Sequence, residues 1–331
     1  MIGILSITKS TTALSELSKK QAESVASDLA GLADQILKEE VKLAEVFAAD
    51  DKVLNVVSLL HQQGADAVTG EISELYKSLG KQVSRLGSSY EGVFVSDAKG
   101  NLFTGVLEDG KEYKGSNIND RDYFQTAKSI GKTTIGEVIR LKVTGNLVTA
   151  ICVPIKSETG EFVGALGLVM KVEFLAELIY GRKIGKTGYG FMTNNKGIVL
   201  AHPVTKHILS TDMTSLVGME EIVRRMLAGE QGVEEYNFNG VDKIAGFAPL
   251  SMANWYIAAT QDESEFLMAA HSIRNASIII TLLAIALTGS SVASKSDQYY
   301  YPLPGLAWKF RAIVHSGYRL RNTNGDTTTN F

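Results

Sequence analysis

From residue 11 to about 85 the chain has no proline. Its apolar side chains recur at steps of three and four: Leu14, Leu17, Val25, Leu29, Leu32, Ile36, then Leu43, Val46 and Phe47. This is the period of one helical face. It predicts a long helix to about Ala48, then broken helix over 53–60 and 70–86. A helix of that length outreaches a small domain. Its N-terminal half is expected to pair with a copy of itself, making the protein a homodimer.

From Tyr90 the period shortens to that of strands. Residues 92–103 read as strand, turn, strand, with Lys99 and Gly100 at the turn. The pattern returns at 190–200: Phe94 is answered by Phe191, Lys99 by Lys196 and Gly100 by Gly197, each 97 residues on. A second apolar strand passing through Pro154 is answered by one ending in Pro249, 95 residues later. Each is followed by a further strand, 162–170 and 255–260. Four matched elements at nearly one spacing predict two copies of one α/β module, each built on an antiparallel sheet. Short helices are expected near 120–128, 172–179 and 218–227, with Asn119 or Asp120 capping the first. An exit helix is expected over 262–274.

Residues 276–294 carry no charge and just reach the ~17–25 residues of a membrane span. Ile278, Ile279, Ile280, Leu282 and Leu283 leave no polar face, so a membrane helix is expected here. Lys295, Lys309, Arg311, Arg319 and Arg321 follow it. That basic excess puts the C-terminal side in the cytoplasm and everything before about 276 on the extracytoplasmic side of the cell inner membrane. Residues 1–10 read as the remnant of a first membrane helix. The expected division is then 11–89 helical, 90–178 first module, 179–275 second module and 276–294 membrane helix. The tail, 295–331, lacks heptads, ends in an Asn/Thr stretch and reads as truncated or frame-disrupted.

Charge and chemistry narrow the function. Lys+Arg total 33 against 36 Asp+Glu, for a net charge of -3, so a nucleic-acid surface is not expected. A single cysteine, Cys152, excludes an intramolecular disulfide and a multi-cysteine metal site. It sits in an apolar strand and reads as a structural thiol. His202 and His207 have only Asp212 nearby and read as loop caps rather than metal ligands. There is no phosphate loop, nucleophile elbow or metal-ligand run, so no enzyme and no cofactor are expected.

The order of long helix, paired modules, exit helix and membrane span carries a resemblance. So do the strings Asp120-Arg121-Asp122-Tyr123-Phe124, Lys142-Val143-Thr144-Gly145, Val153-Pro154-Ile155, Gly164-Ala165-Leu166-Gly167, Lys186-Thr187-Gly188-Tyr189-Gly190-Phe191 and Ala201-His202-Pro203. Together, over about 11–287, they resemble the double Cache (dCache) sensor region of bacterial methyl-accepting chemotaxis receptors. The resemblance implies an α+β fold: a long N-terminal helix, two tandem PAS-like modules with antiparallel sheets, then a membrane helix. It implies that the first, membrane-distal module binds a small molecule and that helix displacement carries the signal. Histidine kinases and diguanylate cyclases carry similar input domains. A chemotaxis kinase complex would be engaged only through a cytoplasmic region that the tail does not resemble. A surface domain using the module pair as a spacer is the reading from another class.

In amino-acid-binding members of that family, an Arg followed by two aromatics grips the carboxylate, and an Asp late in the last strand grips the amine. Arg121, Tyr123 and Phe124 stand where the first part belongs. The Asp is missing; the region reads Gly167-Leu168-Val169-Met170. A buried ammonium without a partner costs several kcal/mol, so a small organic acid is expected instead. Arg121 offers a planar fork for a carboxylate, and Tyr123 a hydroxyl and an apolar wall. Arg140 and Lys142, two residues apart, add positive charge on one side of a strand. Tyr113 and Asp97 are further candidates by position. The competing readings are a salt bridge from Arg121 to Asp120 or Asp122, and a solvated edge for Arg140 and Lys142.

Overall fold

The computed structural model describes residues 2–141 and 144–298, so Lys142 and the tail beyond 298 lie outside the described residues. The long apolar period produces α1, Ile2–Ala48. The broken stretch becomes α2, Asp51–Gln63, and α3, Thr69–Val83. Asp50 separates α1 from α2 because its carboxylate accepts the Lys52 N–H at 2.9 Å, capping the new helix.

The first sheet contains β1 (Tyr90–Asp97), β2 (Leu102–Leu107), β3 (Thr134–Ile135), β4 (Ile139–Arg140), β5 (Leu147–Lys156) and β6 (Phe162–Lys171). The second contains β7 (Tyr189–Asn194), β8 (Val199–Ala201), β9 (Gly232–Phe238), β10 (Val241–Pro249) and β11 (Trp255–Asp262). Their orders are β2-β1-β6-β5-β3, with β4 also on β5, and β8-β7-β11-β10-β9. Strand for strand the two paths are the same, and all pairings are antiparallel. The sequence offset is therefore a duplication of topology. Between the strands lie α4 (Asp122–Ile130), α5 (Glu173–Tyr180) and α6 (Glu220–Leu227).

Strand alternation gives the first sheet two different faces. Val93, Val95, Ile151, Val153, Leu166 and Leu168 turn toward α1, α2 and α3 and join the main core with Leu29, Leu37, Val57 and Leu75. Phe94, Val148, Ala150, Cys152 and Val169 turn the other way, toward Phe124 of α4. The main core continues into the second sheet through Trp255 and Ile257. There α1 comes so close that a Cβ on Gly246 would lie 2.0 Å from the Ala22 carbonyl oxygen, so only glycine fits. The outward side of α1 is mostly polar, interrupted by the exposed Leu17, Leu32 and Val46.

Two sequence expectations change. The α4 N-cap is Arg121, and it makes no side-chain capping bond. Asn119 is drawn instead to Gln125, whose amide reaches its Oδ1 at 3.0 Å. The exit helix, α7, runs unbroken over Glu263–Gln298, through the expected membrane span. No helix among the described residues is long and apolar enough to cross a membrane. Thr288, Gly289, Ser290 and Ser291 dilute the second half of the stretch 276–294. The described residues divide into a compact unit, Lys9–Ser272, and a second drawn from the residues on either side of it. Both sheets belong to the first unit.

Candidate ligand cavity

On the α4 side of the first sheet lies a cavity of about 370 Å³. Its floor is made by Phe94, Val148, Ala150 and Val169, alternate residues of β1, β5 and β6. One wall is Tyr113 with Ser116 and Asn117. A second is Arg121, Asp122 and Tyr123, where the chain enters α4. A third is Glu137, between β3 and β4, with Ile139 of β4 and Leu141 just after it.

Small residues shape this space. A Cβ on Gly136 would lie 2.5 Å from Cδ1 of Tyr123, so the tyrosine ring rests directly on backbone. The Phe94 ring covers Gly167, its cross-strand partner on β6, and stands edge-on to Tyr113 at 6.1 Å.

Three of the polar groups in the walls, the Arg121 guanidinium and the Tyr113 and Tyr123 hydroxyls, make no hydrogen bond among the described residues. The Arg121 guanidinium has a single ion pair, to Asp120 at 3.8 Å, and no hydrogen bond among the described residues. The hydroxyls of Tyr113 and Tyr123 likewise donate to nothing among the described residues. Burial, with a smaller contribution from Cys152, pushes the Tyr123 phenol up, so it stays a neutral donor. The start of α4 adds the positive end of a helix dipole.

The structure thus brings Arg121, Tyr123 and Tyr113 together. It places the other candidates elsewhere. Phe124 is fully buried, edge-on to Phe162 at 5.6 Å, and anchors α4 instead of lining the cavity. Arg140 lies between two lining residues, Ile139 and Leu141, but is itself exposed and donates from Nη1 to the Gly145 carbonyl at 2.8 Å. Asp97 pins the β1–β2 turn, accepting the Lys99 N–H at 2.9 Å and the Asn101 N–H at 2.8 Å. Lys142 lies outside the described residues.

Three carboxylates that sequence reasoning did not place in a pocket, Asp120, Asp122 and Glu137, also line it. Of the run 167–170, only Val169 reaches the cavity. Residue 167 cannot carry an acid there, since its Cβ would lie 2.0 Å from a Phe94 ring carbon. The acids come instead from the start of α4 and from the segment joining β3 to β4. Spacing gave no signal for Glu137; the pairing of β3 and β4 with β5 brings the segment between them to the cavity.

The corresponding space in the second sheet is nearly filled. A cavity of about 20 Å³ remains among Tyr189, Phe191, His202, His207 and Tyr236, room for about one water. The Tyr236 and Thr260 hydroxyls share a hydrogen bond of 2.7 Å beneath it. His202 accepts the Val204 N–H on Nδ1 at 2.9 Å, the loop-capping role. Burial, and then the neighbouring His207, push its imidazole down to about 4. No cluster of metal-ligating side chains occurs among the described residues.

A long backing helix, two antiparallel sheets of identical strand order and a roomy, partly polar cavity on the first of them define a duplicated α+β fold. The family model described as a Cache domain, dCache_1, matches residues 8–270, and the chain belongs to that family. It is 24% identical over 241 residues to the methyl-accepting chemotaxis protein TlpB of Bacillus subtilis (strain 168), covering 72% of this chain and 34% of that protein. The chain thus spans about a third of the length of the curated relatives it matches. Among solved structures it is similar to the extracellular domain of a candidate histidine kinase, mmHK1S-Z2. That match has a TM-score of 0.63 at 18% identity and covers 76% of this chain and 99% of the other. It is also similar to the ligand-binding domain of the Pseudomonas fluorescens chemoreceptor CtaA in complex with L-serine. There the TM-score is 0.54 at 18% identity, with 75% of this chain and 98% of the other covered.

Proposed function

We propose that this chain is the extracytoplasmic ligand-sensing region of a transmembrane chemotaxis receptor, and that it binds a small organic acid in the membrane-distal module. The carrying observation is a cavity of about 370 Å³ whose guanidinium and two phenol hydroxyls have no hydrogen-bond partner among the described residues. The partly buried phenols are free to meet a solute, since a folded chain otherwise satisfies its shielded donors, and the half-exposed guanidinium beside them is accessible to the same solute. Arg121 takes the carboxylate in its fork, Tyr123 and Tyr113 donate to it or to a neighbouring hydroxyl, and Phe94 and Val169 receive the apolar body. The near-filled second cavity supports the first module as the ligand site and speaks against a pure spacer. Chemotaxis output rests on the methyl-accepting relatives; an input domain of a histidine kinase is the competing assignment.

A second reading has its own observation. Asp120 and Asp122 flank Arg121 in the same wall, so a zwitterion could place its ammonium there and its carboxylate on the guanidinium. The absence of an acid at 167–170 does not exclude an amino acid when acids arrive from α4. A thermal-shift panel on the full chain separates the readings. Organic acids without an amine should raise the melting temperature, and Arg121→Ala should abolish the rise. Stabilisation by amino acids alone transfers the assignment to the zwitterion. Stabilisation by neither class, or by sugars only, overturns the pocket.

A further inference from the structure

We infer that Glu137 is the residue through which the cavity of the first module is mechanically read by the second. The inference rests on the ligand-sensing reading for its purpose but not for its test. Glu137 lines the cavity, yet both its oxygens are held by the other sheet. Oε2 accepts from Nδ2 of Asn194 at 3.1 Å, and Oε1 pairs with Nζ of Lys196 at 3.2 Å. Among the described residues these are the only hydrogen bonds or ion pairs that run from the first sheet's segment, 90–171, to the second's, 189–262.

The duplication explains how the link arises. Asn194 stands 97 residues after Asp97, and both anchor the turn of a hairpin. Asp97 spends both oxygens inside its own turn, the second on the Asn101 amide at 2.8 Å. Asn194 uses Oδ1 in the same way, accepting the N–H groups of Lys196 at 3.0 Å and Ile198 at 2.9 Å. Its other terminal atom is a donor rather than an acceptor, and that donor leaves the turn for Glu137. Exchanging carboxylate for amide at one repeat position converts a closed turn into a docking point. Lys196, two residues on, supplies the charge.

On the cavity side the connection is just as short. Tyr123, a wall of the cavity, rests on Gly136 with no room for a Cβ between them. Gly136 is held at both ends: its N–H donates to the Ala150 carbonyl at 2.9 Å, and its carbonyl accepts from the buried Thr149 hydroxyl at 2.7 Å. A displacement of the Tyr123 ring therefore moves backbone one bond away from Glu137. The relay runs from Tyr123 to Gly136, Glu137 and the Asn194–Lys196 turn, through steric contact first and a charge-assisted bond second.

The test needs no ligand. Amide hydrogen exchange is measured at Lys196 and Ile198 in the full chain, in a cycle of Tyr123→Leu and Glu137→Gln. Each single variant should speed exchange at these two amides, by roughly tenfold for loss of the charged pair. The double variant should exchange no faster than Glu137→Gln alone. Additive effects, or a turn that ignores Tyr123→Leu, overturn the relay. Should Tyr123→Leu fail to fold, Tyr123→Met, which likewise takes the ring off Gly136, replaces it in the cycle with Glu137→Gln. Failure of the ligand panel leaves this result standing, and failure of this cycle leaves the cavity's ligand assignment standing.

Discussion

The ring of Phe94 lies over Gly167, its cross-strand partner, so closely that a Cβ on the glycine would stand 2.0 Å from a ring carbon. The ring can lie flat across β6 only because that strand has no side chain there. The cavity floor depends on this arrangement. A side chain at 167 would lift Phe94 into the space above it. Gly167→Ala should destabilise the protein by ~1–3 kcal/mol through overpacking, measured as a shift in urea midpoint. Phe94→Leu in the same chain should recover part of the loss. An unchanged midpoint in Gly167→Ala would show that the ring has somewhere else to go.

Arg121 should matter for binding and hardly for folding. Its one ion pair is long and half-exposed, with 49% of the arginine side chain accessible. Such pairs contribute about 0–1 kcal/mol, so Arg121→Ala should leave the urea midpoint nearly unchanged. Arg121→Lys keeps the charge but loses the planar fork. Calorimetric titration of the stabilising acid should therefore show at least tenfold weaker binding to the lysine variant, a cost of about 1.4 kcal/mol or more. Equal affinity for both would reduce Arg121 to a point charge.

His202 gives the fold a defined acid sensitivity. Burial holds its imidazole at about 4, below the 6.5 of the free group. Between those values the unfolded chain binds more protons than the folded one, so stability falls as pH drops through this window and is fully present above it. Going from neutral pH to about pH 5 should cost roughly 1–2 kcal/mol. His202→Asn keeps a short acceptor for the Val204 N–H and should flatten the acid limb, as read by denaturation curves at several pH values. A limb of unchanged slope would place the sensitivity elsewhere, His207 being the first alternative since burial also lowers it.

Cys152 should be silent until the sheet opens. It is fully buried on β5, and burial pushes its thiol up to about 12. Little thiolate exists at neutral pH, and a reagent has no path to it. A coloured disulfide reagent should label none of the native protein and all of it in denaturant, with a native-state rate equal to the opening rate of the sheet. Prompt labelling without denaturant would contradict the packing of β5.

Much of the architecture was legible from the chain. The helical period gives α1 its end at Ala48, and the 97-residue echo gives the second sheet. Those features are local or repeated, and periodicity reports them because an apolar face must be buried whatever lies opposite. Arg121 and Tyr123 could be named because the resemblance to the double Cache family places a carboxylate-binding Arg and aromatics there, and Tyr113 by position alone.

What the sequence could not decide is which side of each strand looks into space and which is covered. Arg140 and Ile139 differ by one residue, and pairing with β5 sends only the isoleucine into the cavity. Glu137 looks like any loop acid until the fold makes it line the cavity while Asn194 and Lys196 of the second module hold its carboxylate. Side-chain identity and spacing fix what each segment buries. Only the meeting of segments far apart in sequence fixes what remains unsatisfied, and the proposed ligand site rests on those groups.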